Sequence, residues 1–263
     1  MLKRGPSSRF RTRLLRLFLS LVFAALLLLA THDRWQPWTI SADLADARSV
    51  LWVTAHPDDE SFFFAPSILN LPRAKRHLLC LSTGNHDGAG HLRQEEIRQS
   101  CAVLGIAESN CVALDHPELQ DNPTDIWSAD LVRREVHEWV RRWNIDAIIT
   151  FDEYGVSGHA NHRALYTSLR RGLEMPVYTV RSASVLAKYS SLVLLPAAFV
   201  QHLFSTLLVP SRKGTSFFAS SLPSYSLARL SFAAHESQAR WFRTLFVNAS
   251  RYLWYVQVDR VLV

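Results

Sequence analysis

Val50-Leu-Trp-Val-Thr-Ala-His-Pro-Asp-Asp-Glu60 opens with six uncharged, mostly apolar residues and then packs one imidazole and three carboxylates into five positions. The uncharged half, residues 50–55, reads as a strand buried on both faces. The charged half cannot be buried cheaply without a partner. A divalent cation is the simplest partner. Imidazole with carboxylate suits zinc, with one position left open for water when the ion is catalytic. The competing reading is a polar loop with incidental acids.

Outward from this run, element types alternate. Leu78-Leu-Cys-Leu-Ser82 and Cys111-Val-Ala-Leu114 are further short strands, as are Ala147-Ile-Ile-Thr-Phe151 and Val177-Tyr-Thr-Val180. Ile97, Cys101 and Leu104 fall at helical spacing within 92–104, with Gly105 placed as a C-terminal cap. Leu131, Val132, Val136, Trp139, Val140 and Trp143 mark one face of a second helix, and 159–173 is a third. Strands alternating with helices predict an α/β fold, a Rossmann-like and mostly parallel sheet with helices on both faces. Such sheets bind ligands beyond the carboxyl ends of their strands. The run at 55–60 follows a strand. So does Phe151-Asp-Glu-Tyr-Gly-Val-Ser-Gly-His-Ala-Asn-His162, whose His159 and His162 are three apart at a helix start and can turn to one side. Two clusters of ligand-type residues at one rim favour a metal site over surface histidines.

The formal charge of +6 is concentrated at one end. Residues 1–16 hold Lys3, Arg4, Arg9, Arg11, Arg13 and Arg16 and no acid; apart from these, 23 basic residues face 23 acidic ones. A phosphodiester groove keeps its basic excess on the folded domain, so no nucleic-acid partner is expected. Residues 17–31 form an uncharged apolar stretch, slightly short of the about 20 residues a bilayer span needs unless Leu14 and Leu15 extend it past a snorkelling Arg16. An uncleaved membrane anchor is expected; small residues near Ala30 leave a cleaved signal peptide as the alternative. Residues 32–48 read as a short polar link and 49–263 as the catalytic domain. Within it, 190–209 is apolar but carries Pro196 and His202, which argue against a simple span. Shallow membrane contact is the expectation, with core as the alternative. Cys80, Cys101 and Cys111 show no close-spaced pair and are expected as buried reduced thiols, favouring a reducing compartment. Asn248-Ala-Ser250 is a glycosylation sequon, of consequence only if that end is lumenal.

The residues at 55–60 and 159–162 together resemble the PIG-L/LmbE-like family of metal-dependent deacetylases, whose hallmark is a strand followed by Ala-His-Pro-Asp-Asp-Glu and a distant His-x-x-His. Ser82-Thr-Gly-Asn-His-Asp-Gly88 with Arg93 and Glu95-Glu96, Asp115-His-Pro-Glu-Leu-Gln-Asp121, Lys188-Tyr-Ser190 and His235-Glu-Ser-Gln-Ala-Arg-Trp-Phe-Arg243 extend the resemblance over 50 to about 260. It is loosest from Pro196 to Leu230. Bacterial members acting on soluble sugars often carry Tyr and Asp where this chain has Ser157 and Asn161. That favours the branch which removes acetate from N-acetylglucosaminyl-phosphatidylinositol in glycosylphosphatidylinositol (GPI) anchor synthesis.

By motif position the resemblance implies His56, Asp59 and His162 as ligands of Zn2+ or another divalent ion. It implies Asp58 as general base, and His159 as the group that steadies the oxyanion or protonates the amine. Glu60 is expected behind them, orienting a ligand or a backbone amide. Arg93 is expected to bind the substrate's phosphate or sugar hydroxyls, with a helix-surface arginine as the alternative, and Asp115 and His235 to line the pocket. A deacetylase of another N-acetyl sugar conjugate is the second reading, and a non-catalytic membrane protein the third. Membrane lipids and a membrane-borne glycolipid are the expected partners. The resemblance implies an endoplasmic reticulum protein with its catalytic domain toward the cytoplasm. The basic head, kept inside by the positive-inside rule, would instead send that domain to the lumen after a single crossing.

Overall fold

The computed structural model describes residues 8–71, 73–208 and 214–262. The basic head before Ser8 and position 209 lie outside them. Seven strands form one sheet in the order β3-β2-β1-β4-β5-β7-β6. They are β1 Ser49–Thr54, β2 Lys75–Cys80, β3 Cys111–Ala113, β4 Ala147–Phe151, β5 Val177–Val180, β6 Thr215–Ala219 and β7 Tyr255–Arg260. The first five run parallel, and β7 pairs antiparallel with both β5 and β6.

The helices are α1 Ser8–Ala30, α2 His32–Trp35, α3 Ala42–Ala45, α4 Ala65–Leu69, α5 Gly90–Val103, α6 Ala129–Trp143, α7 Gly155–Gly158, α8 Ala160–Leu169, α9 Val185–Lys188, α10 Leu195–Leu208, α11 Leu222–Ala233 and α12 Trp241–Ala249. Side chains alternate across β1. Trp52 donates its indole N–H to Ser67 of α4, whereas the Ser49 hydroxyl reaches the Trp143 carbonyl of α6. The sheet is therefore covered by α6 with α8 on one face and by α4, α5 and α11 on the other. Every residue of β1 and β4 is buried, which is why both read as unbroken apolar runs. The chain leaves β1 toward β2 on one side and returns beside it as β4 on the other. The carboxyl ends of β1 and β4 thus flank the point where strand order reverses, where open α/β sheets bind ligands.

Three expectations are revised. Residues 32–48 are not a free link: they fold along the outer edge of β6. Gln36 acts as a strand neighbour there, its amide donating to the Phe217 carbonyl and accepting from the Ala219 amide, both at 2.8 Å. His32 donates to the Ala219 carbonyl at 2.8 Å and Thr39 to that of Phe217 at 2.8 Å, so this edge is closed. Cys101 and Cys111 form a disulfide, leaving Cys80 as the free, buried thiol. They look unrelated in sequence because β3 folds back under the end of α5, bringing their Cα atoms to 6.4 Å. The apolar stretch from residue 190 is partly core and partly bare. Leu195, Ala198 and His202 of α10 are buried, while Val200, Leu203, Phe204, Leu207 and Leu208 are exposed. Pro196 does not break the helix because it occupies the first turn, where no amide is needed.

Among the described residues α1 is the one helix long and apolar enough to cross a membrane, by length and composition. Its last turns pack on the domain: Ala25 and Leu29 lie with Leu195 and Ala198 of α10 in one buried cluster.

Candidate active site

The carboxyl end of β1 turns sharply at Asp58, whose φ of 110° lies where side chains other than glycine are rarely found. Glu60 begins a π-helical turn, Glu60–Phe64, and holds this bend: its Oε2 accepts the Asp58 amide at 3.1 Å. Its Oε1 accepts Ser61, Ser100 and His235 at 2.8, 2.5 and 2.6 Å. Burial works against the charge on Glu60, but His235 and the two hydroxyls outweigh it and hold its carboxyl below the ordinary range. After β4, Val156 is also forced to positive φ, at 61°. Gly155 lies so close to His162 that a Cβ there would fall 2.6 Å from the His162 Cβ. The backbone folds tightly here to aim α8 and its histidine at the β1 loop.

These turns bring the His56, His159 and His162 ring nitrogens within 4.8 Å of one another. The hydrogen bonds fix their protons. His162 Nδ1 donates to the Gly155 carbonyl at 3.0 Å, which in the neutral ring leaves Nε2 as a lone pair. His56 Nε2 donates toward Asn161 Oδ1 at 3.1 Å and Asp121 Oδ1 at 3.2 Å, so its Nδ1 is also a lone pair. The Asn161 assignment follows from its own amide, which donates to the Asp125 carbonyl. The two lone pairs face each other across 3.3 Å, and Asp59 Oδ1 stands 3.3 Å from the His162 nitrogen. The other Asp59 oxygen is held by the Ala55 and His56 amides at 3.0 and 2.9 Å. Three electron-pair donors turned inward repel one another unless a cation lies between them; the residues fit a divalent ion.

His159 differs from the other two histidines. Its Nδ1 accepts the Asn161 amide at 3.3 Å, so in the neutral ring Nε2 carries the proton and is a donor. Burial, then the His162 ring, lower its pKa. Burial, partly opposed by Asp59, pushes His56 down to about 4, keeping it neutral near neutral pH. Burial opposes the charge on Asp59, yet the adjoining His162 and His56 rings hold its carboxyl well below the usual range. Phe151 stacks flat on His162, ring centres 3.9 Å apart, and fixes its plane.

The cleft in front of these groups has a volume of about 440 Å³. Asp58 faces it between two guanidinium groups: Arg243 meets its Oδ2 directly, and Arg93 lies 3.8 Å from the same atom. Arg93 is not the exposed helix arginine of the alternative reading. It is buried and clamps the Gly84 and Pro57 carbonyls at 2.8 and 2.6 Å, with Asp121 at 3.5 Å. Its approach explains Gly84, since any Cβ there would overlap the guanidinium.

The family model for GlcNAc-PI de-N-acetylase, PIG-L, matches residues 51–171. N-acetylglucosaminyl-phosphatidylinositol de-N-acetylase of Bos taurus is 36% identical over 214 residues, covering 77% of this chain and 79% of its own length. The chain belongs to the PIG-L family. A probable N-acetylglucosaminyl-phosphatidylinositol de-N-acetylase of Schizosaccharomyces pombe is 32% identical over 78% of this chain and 84% of its own. Among solved structures, N,N'-diacetylchitobiose deacetylase of Pyrococcus horikoshii superposes with a TM-score of 0.55 at 12% identity, over 82% of this chain and 84% of that one. The zinc-inhibited form of a teicoplanin deacetylase gives 0.54 at 11%, over 81% and 98%. At these identities the likeness is one of fold.

Residues 51–171 of the PIG-L match include the loop after β1, Arg93 and the histidine pair. Two expected pocket residues lie elsewhere. Asp115 is exposed on the loop after β3 and does not line the cleft, because that loop turns inward only at Leu119 and Asp121. His235 is fully buried behind the site, paired with Glu60 instead of facing the cleft. Asp121 and Arg243, not singled out from sequence, do line it. Each was the last residue of a stretch that resembles the family, and nothing local distinguishes it from a surface charge.

Proposed function

We propose that this PIG-L family chain removes acetate from N-acetylglucosaminyl-phosphatidylinositol, leaving the glucosaminyl lipid, an early step of GPI anchor synthesis. The observation that carries the reading is the inward convergence of the His56, His162 and Asp59 electron pairs beside an Asp58 carboxylate open to the cleft. The named substrate of the 36% and 32% identical relatives supports the substrate class.

His56, Asp59 and His162 would hold the ion, and zinc suits that donor set. When bound, a zinc ion polarises a carbonyl and acidifies water. Asp58 takes the proton of the water that attacks the acetamide carbon, forming the new C–O bond. His159, a donor through Nε2, steadies the oxygen as charge develops on it. The proton that Asp58 took then passes to the amine nitrogen as the C–N bond breaks, while His159 keeps its own as a hydrogen-bond donor. Asp121 and Asn161 keep the His56 ring in the tautomer this requires. Arg93 also lines the cleft but is held by the Gly84 and Pro57 carbonyls, so Arg243 and Lys188 are the cations a phosphodiester would meet first, and such an anion would draw Arg243 off Asp58.

We place the protein in the endoplasmic reticulum membrane through α1, with the catalytic domain toward the cytoplasm, as the family resemblance implies. A lumenal domain is the second reading. The Cys101–Cys111 bridge favours it, since disulfides persist in oxidising compartments, and so does the basic head. Protease protection in sealed microsomes separates them: a digested carboxyl terminus supports the cytoplasmic reading and a protected one the lumenal.

The activity is tested by acetate release from N-acetylglucosaminyl-phosphatidylinositol beside a lipid-free N-acetylglucosamine conjugate, with Asp58→Ala and chelator as controls. Release from the lipid alone, lost in both controls, is expected. Release from the soluble sugar alone would move the chain to the second enzyme reading. Silence on both, with metal still bound, would leave the non-catalytic one.

A further inference from the structure

The mouth of the cleft is apolar. Trp241 and Phe242 on α12 are 80% and 51% exposed, Leu245 is exposed beside them, and Val185 and Leu186 of α9 stand equally bare nearby. The inward side of α12 is fully used: Arg243 reaches Asp58, and Phe246 packs edge-on against Phe62 and Phe63. One short helix therefore builds the cleft and leaves Trp241 and Phe242, edge-on to each other, largely exposed at its mouth.

Two observations say what covers that exposed face. The first is charge. From Met175 to Val258 the sequence contains a single acid, Glu236, against eight lysines and arginines. Formal neutrality of the domain hides this: α9 to α12 all lie in the acid-poor span. The second is continuity. The Ser191 amide donates to the Ala249 carbonyl at 2.9 Å, tying the end of α12 to the turn that leads into α10. Tyr189, after α9, packs on Phe246 of α12. Helix α10, with its own bare apolar side chains, packs against α1. The exposed apolar surface follows packed elements from the membrane-length helix to the cleft.

We propose that the rim formed by α9 and α12 docks in the headgroup region of an anionic phospholipid bilayer, with Trp241, Phe242 and Leu245 reaching the acyl boundary. Exposed aromatics beside basic and few acidic residues are the composition of interfacial elements. A phospholipid with a sugar headgroup then slides from the bilayer into the cleft with its acyl chains still in the membrane. The inference deepens the proposed substrate reading and rests on it.

The test uses the full chain in vesicles of phosphatidylcholine and phosphatidylinositol. Trp241→Cys and, as a reference, Asp130→Cys at the exposed start of α6 each carry an environment-sensitive fluorophore. The native cysteines do not compete, being bridged or buried. Lipids spin-labelled near the headgroup should quench position 241 at least threefold more than position 130, with a blue-shifted emission at 241. Equal quenching at both positions overturns the proposal. Shielding of 241 from an aqueous quencher without quenching by lipid also overturns it, and assigns the face to a protein. Acetate release by the wild-type chain in the same vesicles is read separately. Quenching without deacetylation would sink the substrate reading and leave the docking, and deacetylation without quenching would do the reverse.

Discussion

His235 donates through Nε2 to Glu60 Oε1 at 2.6 Å, and both side chains are shielded completely from solvent. The pair joins positions 175 residues apart, and through Glu60 it reaches the Asp58 amide and the bend of the catalytic loop. His235→Ala leaves the carboxylate buried with hydroxyls alone as side-chain partners. Breaking such a pair costs about 3–5 kcal/mol. A lowered melting temperature is expected, with partial recovery in His235→Gln, which can still donate. Equal stability of His235→Ala and wild type in differential scanning calorimetry would contradict this account.

Asp58 faces the cleft with Arg243 on its Oδ2, and an asparagine there can still accept from that guanidinium. Asp58→Asn keeps the shape and removes the base. Turnover should fall about 10²–10⁴-fold while the melting temperature stays within a few degrees. Steady-state kinetics beside thermal unfolding tests both halves, and activity retained within tenfold would remove Asp58 from the mechanism.

Asp121 holds the outer nitrogen of His56 at 3.2 Å and contacts Arg93 on its other side. Removing such support for a ligand typically lowers metal affinity or activity about 10–100-fold. Asp121→Asn should weaken zinc binding by that order in a calorimetric titration of the metal-free protein. The same titration of Asp115→Asn, on the exposed part of the same loop, should match wild type.

His77 lies buried between Ser49 and Trp143, where burial, aided by Lys75, pushes it down to about 4. An unfolded chain takes up this proton as pH falls through about 6.5, whereas the folded chain resists until about 4. Between those values the unfolded state binds more protons, so the contribution is whole above the upper value and drains away toward the lower one. Melting temperature should fall on acidification through that window, and less steeply in His77→Gln. Parallel slopes in the two proteins would remove His77 as a cause.

The Cys101–Cys111 bridge closes a loop of sequence separation 10, for which the chain-entropy account gives about 3 kcal/mol. Reductant should lower the unfolding midpoint of wild type and leave Cys101→Ser/Cys111→Ser unchanged. Alkylation of the unfolded, unreduced protein should mark Cys80 alone, and three labelled cysteines would mean that the bridge does not form.

The parallel half of the fold was legible because burial on both faces writes itself as uninterrupted apolar runs: 147–151 and 177–180 match β4 and β5 residue for residue. The loops that carry His56 and His162 could be placed at one rim because both follow such runs. The antiparallel pair escaped. Thr215–Ala219 and Tyr255–Arg260 are as buried as β4 over most of their length, but they sit among apolar helices of similar composition, and the pairing joins segments about 40 residues apart. Residues 32–48 looked like a link because their polar side chains serve the β6 edge, a use that no period reveals. Arg243 and Asp121 were hidden for a related reason: each reaches the cleft through tertiary folding, and the neighbouring sequence does not register it.

The closed edge of β6 has a kinetic consequence. His32, Gln36 and Thr39 stitch the residues after α1 directly to the sheet, so there is no slack between helix and domain. With α1 in a membrane, as proposed, a catalyst on so short and stiff a mount keeps one height relative to the bilayer and cannot sweep the surrounding volume. Its encounters with a lipid substrate take place in two dimensions, and turnover should scale with the mole fraction of substrate in the membrane. Diluting the vesicles at fixed composition should leave the rate per enzyme unchanged.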